Sequence, residues 1–141
     1  MRLNVTLNVL ERLDVDRECT PSLCIADSQS VKLAPMIFEH RGIDGNKKVM
    51  RGGPCRRKRQ ILVDTRGRIW KTRVHAANMH DSPAGVGLLD GLRPLMPRLG
   101  KIRVDKSYRG TFCRAVEQQQ LAFEVPDREQ GTKGFAVQPK R

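Results

Sequence analysis

The sequence has few aromatic residues: one tryptophan, one tyrosine and four phenylalanines among its 141 residues. That number is too small for a surface on which bases stack, so we expect any contact with nucleic acid to be made to the phosphate backbone. No apolar stretch approaches the roughly 20 residues that a membrane-spanning helix needs. The Met1-Arg2-Leu3 start lacks the charged and apolar regions of a secretion signal. These absences predict a cytoplasmic protein without a membrane partner.

Cysteine and histidine patterns that bind zinc are also missing. The four cysteines form no CxxC pair and have no histidine at zinc-finger spacing. We interpret them as reduced, unpaired thiols. His75 and His80 are five positions apart, which is the wrong spacing for one face of a helix. We interpret them as a strand residue and a loop residue rather than as metal ligands.

Acidic residues are scarce relative to basic ones, 15 against 27, which gives a formal charge of +12. Such a charge favours a polyanionic partner, and nucleic acid is the partner we predict. Residues 41–73 contain twelve lysines and arginines but only two aspartates. The simplest interpretation of a charge run is a solvated surface loop, but this concentration favours phosphate contacts. The predicted contacts, in a loop rich in glycine and proline, are Lys47, Lys48, Arg56, Arg57, Lys58 and Arg59.

Two short apolar runs end in an aspartate. They are Leu23-Cys24-Ile25-Ala26-Asp27 and Ile102-Arg103-Val104-Asp105. Each run predicts a buried strand with a carboxylate at its C-terminal end, where open α/β sheets bind ligands. Two such carboxylates side by side could bind Mg²⁺ or Mn²⁺, hard ions that prefer oxygen ligands. Alternatively, each aspartate only ends its strand and caps a turn.

Apolar periodicity and turn residues predict helix, strand, hairpin, helix, strand, helix and strand, in that order. This order indicates a mixed α/β sheet in which an antiparallel β-β-β unit precedes α-β-α-β. If the two aspartate-bearing strands are parallel neighbours, their carboxylates lie together. The predicted segments are a helix over 3–18, a strand over 23–27, a hairpin over 60–75, a helix over 82–92, a strand over 101–105, a helix over 112–119 and a strand over 121–125.

Five segments, in order, resemble DDE-type transposases of bacterial insertion sequences. Each segment alone is weakly specific, but together they are specific, and the resemblance extends over about residues 5–141. They are Ala26-Asp27-Ser28-Gln29-Ser30-Val31-Lys32, Gly42-Ile43-Asp44-Gly45-Asn46-Lys47-Lys48-Val49, Arg57-Lys58-Arg59-Gln60-Ile61-Leu62-Val63-Asp64-Thr65, Ala77-Asn78-Met79-His80-Asp81 and Asp105-Lys106-Ser107-Tyr108-Arg109-Gly110.

The resemblance implies a ribonuclease H-like fold and a metal-binding triad of two aspartates and a glutamate. Asp27 and Asp105 match the two aspartates. The family's glutamate lies on a helix after a Pro-Lys-Arg-like segment, and this sequence ends at Pro139-Lys140-Arg141. We therefore expect the final helix to be missing, along with N-terminal DNA-binding helices. Three other glutamates do not fit the triad position: Glu117, Glu124 and Glu129.

Two functions follow from the resemblance. The first is metal-dependent DNA strand cleavage and transfer at transposon ends and target DNA, in a core fragment that has little activity alone. The second is a non-catalytic remnant that binds DNA, or that inhibits a full-length transposase or pairs with a second copy. A third possibility is a decayed reading frame that folds poorly. We expect a helix and linker over residues 1–22 and a partial catalytic domain over residues 23–141.

Overall fold

The computed structural model describes residues 3–32, 34, 36, 39, 42–43 and 56–126. Lys47, Lys48 and Glu129 therefore lie outside the described residues. The elements are α1 (Leu3–Leu13), β1 (Leu23–Lys32), β2 (Arg56–Asp64), β3 (Ile69–Ala76), α2 (Asp81–Gly85), a 3-10 turn (Val86–Leu88), α3 (Leu92–Leu95), β4 (Lys101–Val104), a second 3-10 turn (Lys106–Tyr108), α4 (Thr111–Gln118) and β5 (Ala122–Glu124).

The five strands form one mixed sheet in the order β3-β2-β1-β4-β5. β2 pairs antiparallel with β1 and β3, whereas β4 pairs parallel with β1 and β5. The predicted α/β class and the order β-β-β-α-β-α-β are confirmed, and this arrangement agrees with the ribonuclease H-like fold that the resemblance implies. The predicted parallel pairing of the two aspartate-bearing strands is also confirmed.

The hydrophobic core lies between one face of the sheet and the helices that follow β3. α4 contributes Phe112 and Val116, which are one helical turn apart and fully buried. The largest other contributions to the core come from Leu62, Leu88, Ile102 and Tyr108.

None of the helices in the described ranges combines the length and the apolarity that crossing a membrane requires.

Two predictions at the β1–β2 pair are wrong. β1 does not end at Asp27 but continues to Lys32, and β2 begins at Arg56, so residues 56–59 are strand rather than loop. The antiparallel register runs from Cys24 opposite Asp64 to Lys32 opposite Arg56. Each strand thus supplies the backbone partners that extend the other beyond its apolar part, and pairing overrides the low strand propensity of the polar residues.

The single helix predicted over residues 82–92 is also wrong. α2 ends at Gly85, a 3-10 turn follows, and α3 begins only at Leu92. Gly91 has a left-handed φ of 66° between the turn and α3, which breaks the helical path. The glycines that lower helix propensity in this segment therefore divide it into short pieces.

The predicted N-terminal helix is confirmed over the shorter range of α1, and it is attached to the sheet through polar side chains. The amides of Asn4 and Asn8 donate hydrogen bonds to the Ile69 carbonyl at 2.8 and 2.7 Å. Arg12 is buried and pairs with Asp64 at 2.7 Å. The leucines of α1 face the opposite way and are exposed.

Candidate active site

The parallel register brings Asp27 and Asp105 to neighbouring positions. Ala26 of β1 is the partner of Val104 of β4, and the two aspartates are the next residues along the chain. Ala26 and Val104 are buried in the core. Because successive strand side chains alternate between faces, both aspartates lie on the other face, and both are exposed. The structure therefore places the two aspartates that the sequence singles out at neighbouring positions, directly after a pair of strand partners.

Backbone groups orient both carboxylates. Asp27 Oδ1 accepts a hydrogen bond from the Ser28 N–H at 2.7 Å. Asp105 has an extended backbone and caps the 3-10 turn that follows it, where its Oδ1 accepts from the Ser107 N–H at 2.9 Å and from the Ser107 hydroxyl. Asp105 is thus fixed at the start of a turn, whereas Asp27 is fixed inside a continuous strand.

No third acid joins this pair among the described residues. No group of three histidine, cysteine or acidic side chains suited to a metal ion occurs in the described ranges. Glu117 is exposed on α4. Glu124 of β5 is bound to Arg103 at 2.8 Å and to Lys101 at 3.3 Å. Glu124 is thus engaged by two cations, and the exclusion of both glutamates from a triad stays a prediction.

The four basic residues of β2 divide between the two faces of the sheet. Arg59 is exposed and, by strand alternation, lies on the same face as Asp27. Arg57 shares this face but is half-buried and donates two hydrogen bonds to the Glu39 carbonyl. Arg56 lies on the helix side, half-buried, with a backbone bridge to Gly42.

The predicted phosphate contact of Lys58 does not agree with the position of its side chain in the structure. Its side chain is buried on the helix side of the sheet and pairs with Asp81 at 3.1 Å. The Nζ atom also donates to the Met79 carbonyl at 3.4 Å. A buried ammonium that is already paired is not available to a backbone phosphate, so Lys58 has a role in the fold.

The described cysteines and the two histidines considered as metal ligands lie outside any metal site in the described residues. Cys19, Cys24 and Cys113 are free, as predicted, whereas Cys55 lies outside the described residues. Burial raises the pKa of Cys24 to about 12. His75 lies in β3, and His80 precedes α2, where its ring accepts a hydrogen bond from the Ser82 N–H at 3.3 Å. Both placements agree with a strand residue and a loop residue.

Sequence reasoning missed the polar residues behind the two aspartates. Tyr108 is fully buried, and its hydroxyl donates to the Gln60 side chain at 2.7 Å. Lys106 and Arg109 are exposed in the segment that follows Asp105. The signal available in the sequence was the string from Asp105 to Arg109, which carries a tyrosine and two cations directly after the aspartate.

Comparisons with known proteins give a family match and a structural match. A family model of the transposase DDE domain matches residues 18–130, a range that contains both aspartates. Among solved structures, the chain is similar to the Mos1 transposase paired-end complex with left transposon end, with 8% sequence identity and a TM-score of 0.46. That match covers 85% of this chain and 39% of the other. No curated protein matches the chain.

Proposed function

The chain belongs to the family of transposase DDE domains, and from this premise we propose that it is the core of a site for metal-dependent cleavage and transfer of DNA strands. Asp27 and Asp105 are its proposed metal ligands. The observation that carries the proposal is the register, because these carboxylates directly follow residues that are partners in parallel strands. Exposure of both side chains leaves them accessible to a cation and to DNA.

The two carboxylates fit a magnesium or manganese ion. They offer only oxygen donors, and their exposure leaves room for the water ligands that Mg²⁺ retains. Neighbouring carboxylates of like charge repel each other, so a bound cation would relieve that repulsion. When bound, such an ion activates an attacking hydroxyl and stabilises the leaving oxygen of a phosphodiester.

The basic residues of β2 support DNA as the substrate. Arg59 lies on the Asp27 face two positions along β2 from Ile61, which is the partner of Asp27. Its guanidinium would hold a backbone phosphate near the two aspartates, a contact that positions DNA without reading its sequence. Arg57, which shares the Asp27 face, extends the proposed surface, and Arg56, Lys47 and Lys48 stay in the proposal on sequence grounds alone.

One observation favours a second function, a DNA-binding protein without catalysis. Glu124 is bound to Lys101 and Arg103, and the described residues include no third ligand beside the aspartates. Two carboxylates alone would hold metal weakly. Such a protein could pair with a complete transposase or with a second copy, and it would bind DNA whether or not metal is present.

The metal proposal is tested by titrating the chain with Mn²⁺ and following backbone amide signals by NMR. We expect saturable broadening centred on residues 27 and 105, and its loss in Asp27→Asn. Asp14→Asn, which removes an exposed aspartate after α1, is the matched control and should broaden like the wild type. Broadening that is unchanged in Asp27→Asn would contradict the assignment.

The DNA proposal is tested by the salt dependence of binding to duplex DNA. Each phosphate contact contributes about −0.9 to the slope of log K against log salt, so Arg59→Gln should reduce the slope by about 1. Arg93→Gln is the control. Arg93 lies on α3, which packs against the core through Leu92 and is therefore on the side of the sheet opposite to the proposed DNA surface. A slope near zero for the wild type would exclude backbone binding and with it both proposed functions.

A further inference from the structure

A chain of polar side chains lies buried behind the two aspartates. Gln60 of β2 is completely buried, and its Oε1 atom accepts the Tyr108 hydroxyl at 2.7 Å. Its Nε2 atom lies 3.1 Å from His75 Nε2 and 3.3 Å from the Asp81 carbonyl. Both ends of the amide are therefore bonded, as a buried polar group requires.

The direction of these hydrogen bonds follows from the donors available. Because Gln60 Nε2 can only donate, His75 Nε2 is the acceptor and the imidazole proton is on Nδ1. His75 Nδ1 then donates to the Ala76 carbonyl at 2.8 Å. Ser28 of β1 is the antiparallel partner of Gln60, so its side chain lies on the same face of the sheet as the Gln60 side chain that the Tyr108 hydroxyl contacts. We call the set Ser28, Tyr108, Gln60 and His75 the Tyr108 network.

The Tyr108 network joins the two segments that carry the aspartates. Ser28 directly follows Asp27 in β1, and Tyr108 is the last residue of the 3-10 turn that Asp105 caps. Burial, followed by the negative charges of Asp81, Asp27 and Asp105, raises the pKa of Tyr108, so the hydroxyl keeps its proton. The buried hydroxyl therefore joins the turn of one carboxylate to Gln60, which is the strand partner of the residue that follows the other carboxylate.

Close packing holds the tyrosine ring in this position. Phe112 packs edge-on against it, with ring centroids 5.0 Å apart. A Cβ added to Gly85 of α2 would lie 2.8 Å from Tyr108 Cε1 and 3.1 Å from Gln60 Oε1. The glycine thus allows α2 to approach the Tyr108 network, and a methyl group there would displace it.

We infer that Tyr108 is a positioning residue, whose hydroxyl holds the turn bearing Asp105 in register with Asp27 through Ser28 and Gln60. The inference rests on the proposed function, since it assumes that the two carboxylates share a cation. The same contacts could also serve only to stabilise the core. A positioning role predicts that the loss of the hydroxyl weakens Mn²⁺ binding more than another substitution that lowers stability, whereas a purely stabilising role predicts no such difference.

The test compares Mn²⁺ affinity in the whole chain with Tyr108→Phe, which removes the hydroxyl and keeps the ring. Residues that orient metal ligands affect affinity by about 10- to 100-fold when replaced, so we expect a loss of at least about tenfold. Gly85→Ala should also weaken Mn²⁺ binding. Its matched control is Gly87→Ala, whose added methyl would meet the mobile end of the Arg73 side chain rather than the Tyr108 ring and should leave affinity unchanged.

Ile102→Val separates positioning from general loss of stability, since it trims a buried residue at the other end of β4. Equal affinity losses in Tyr108→Phe and Ile102→Val would refute the inference. Wild-type affinity in Tyr108→Phe would refute it while leaving the proposed metal site intact. Failure of the wild type to bind Mn²⁺ at residues 27 and 105 would refute the metal site, and with it any positioning role.

Discussion

Asp64 and Asp27 lie on adjacent paired strands, each after a run of apolar residues, but their carboxylates have opposite surroundings. Asp64 is 1% exposed and binds Arg12 at 2.7 Å, with Arg68 at 3.6 Å. Asp27 is exposed, and within the described residues its carboxylate accepts only the N–H of its neighbour Ser28. One aspartate is a structural anion, and the other is a candidate ligand.

The difference follows from which face of the sheet each aspartate occupies. Asp64 has the same strand parity as Leu62 and Gln60, whose side chains are buried on the helix side. Asp27 has the opposite parity to Ala26, as Asp105 has to Val104. Alternation along a strand therefore decides whether an aspartate after an apolar run enters the core or faces solvent.

The largest expected effect is on the buried aspartate. Asp64→Asn should lower the free energy of unfolding by about 3–5 kcal/mol, because it leaves the buried Arg12 without its counter-charge and leaves Arg68 with Glu11 alone. Urea denaturation at pH 7 measures the change. A loss below about 1 kcal/mol would show that the two arginines find other partners and that Asp64 contributes little to the stability of the fold.

The same contrast applies to two neighbouring cations of β2. Lys58→Met should cost about 3 kcal/mol because it leaves Asp81 buried without its ammonium partner. Arg59→Met, on the exposed face, should change stability by less than about 0.5 kcal/mol. Paired denaturation curves test the contrast, and equal losses in the two variants would contradict it.

Acid should weaken the Asp64 site progressively. Burial alone would raise its pKa, but the N–H groups of Arg66 and Arg68 and the Arg12 guanidinium hold the pKa below the ordinary 3.8. The carboxylate therefore stabilises the fold fully above about pH 4, and this contribution is lost as the pH falls towards the folded-state pKa. The deficit of Asp64→Asn should be constant between pH 5 and 7 and shrink below about pH 4, as followed by thermal melts.

The smallest expected effect on stability is at the exposed pair. Asp27→Asn should change the free energy of unfolding by less than about 0.5 kcal/mol, because it removes one of two neighbouring like charges and no buried partner. Denaturation without added metal measures it. A loss of several kcal/mol would mean that Asp27 is a structural residue like Asp64.

Helices α1 and α4 show that apolar periodicity alone does not decide which face of a helix packs against the rest of the protein. Both are amphipathic in sequence, and α4 buries its apolar residues Phe112 and Val116 as expected. α1 instead buries Asn8 and Arg12 and exposes Leu7 and Leu10. Periodicity states which residues share a face, but the contact face of α1 depends on Asp64 and the Ile69 carbonyl, which are more than 50 positions away in the sequence.

The sequence by itself determined the strands and helices in their order, the aspartates at residues 27 and 105, and the excess of positive charge. These features depend on local composition and spacing, which can be read along the chain. Only the tertiary structure decided that β1 and β4 are in register, that Lys58 is buried, and that Tyr108 lies behind both carboxylates. Each of these depends on pairing between distant segments, because a shift of one residue in register would turn every side chain of a strand to the other face.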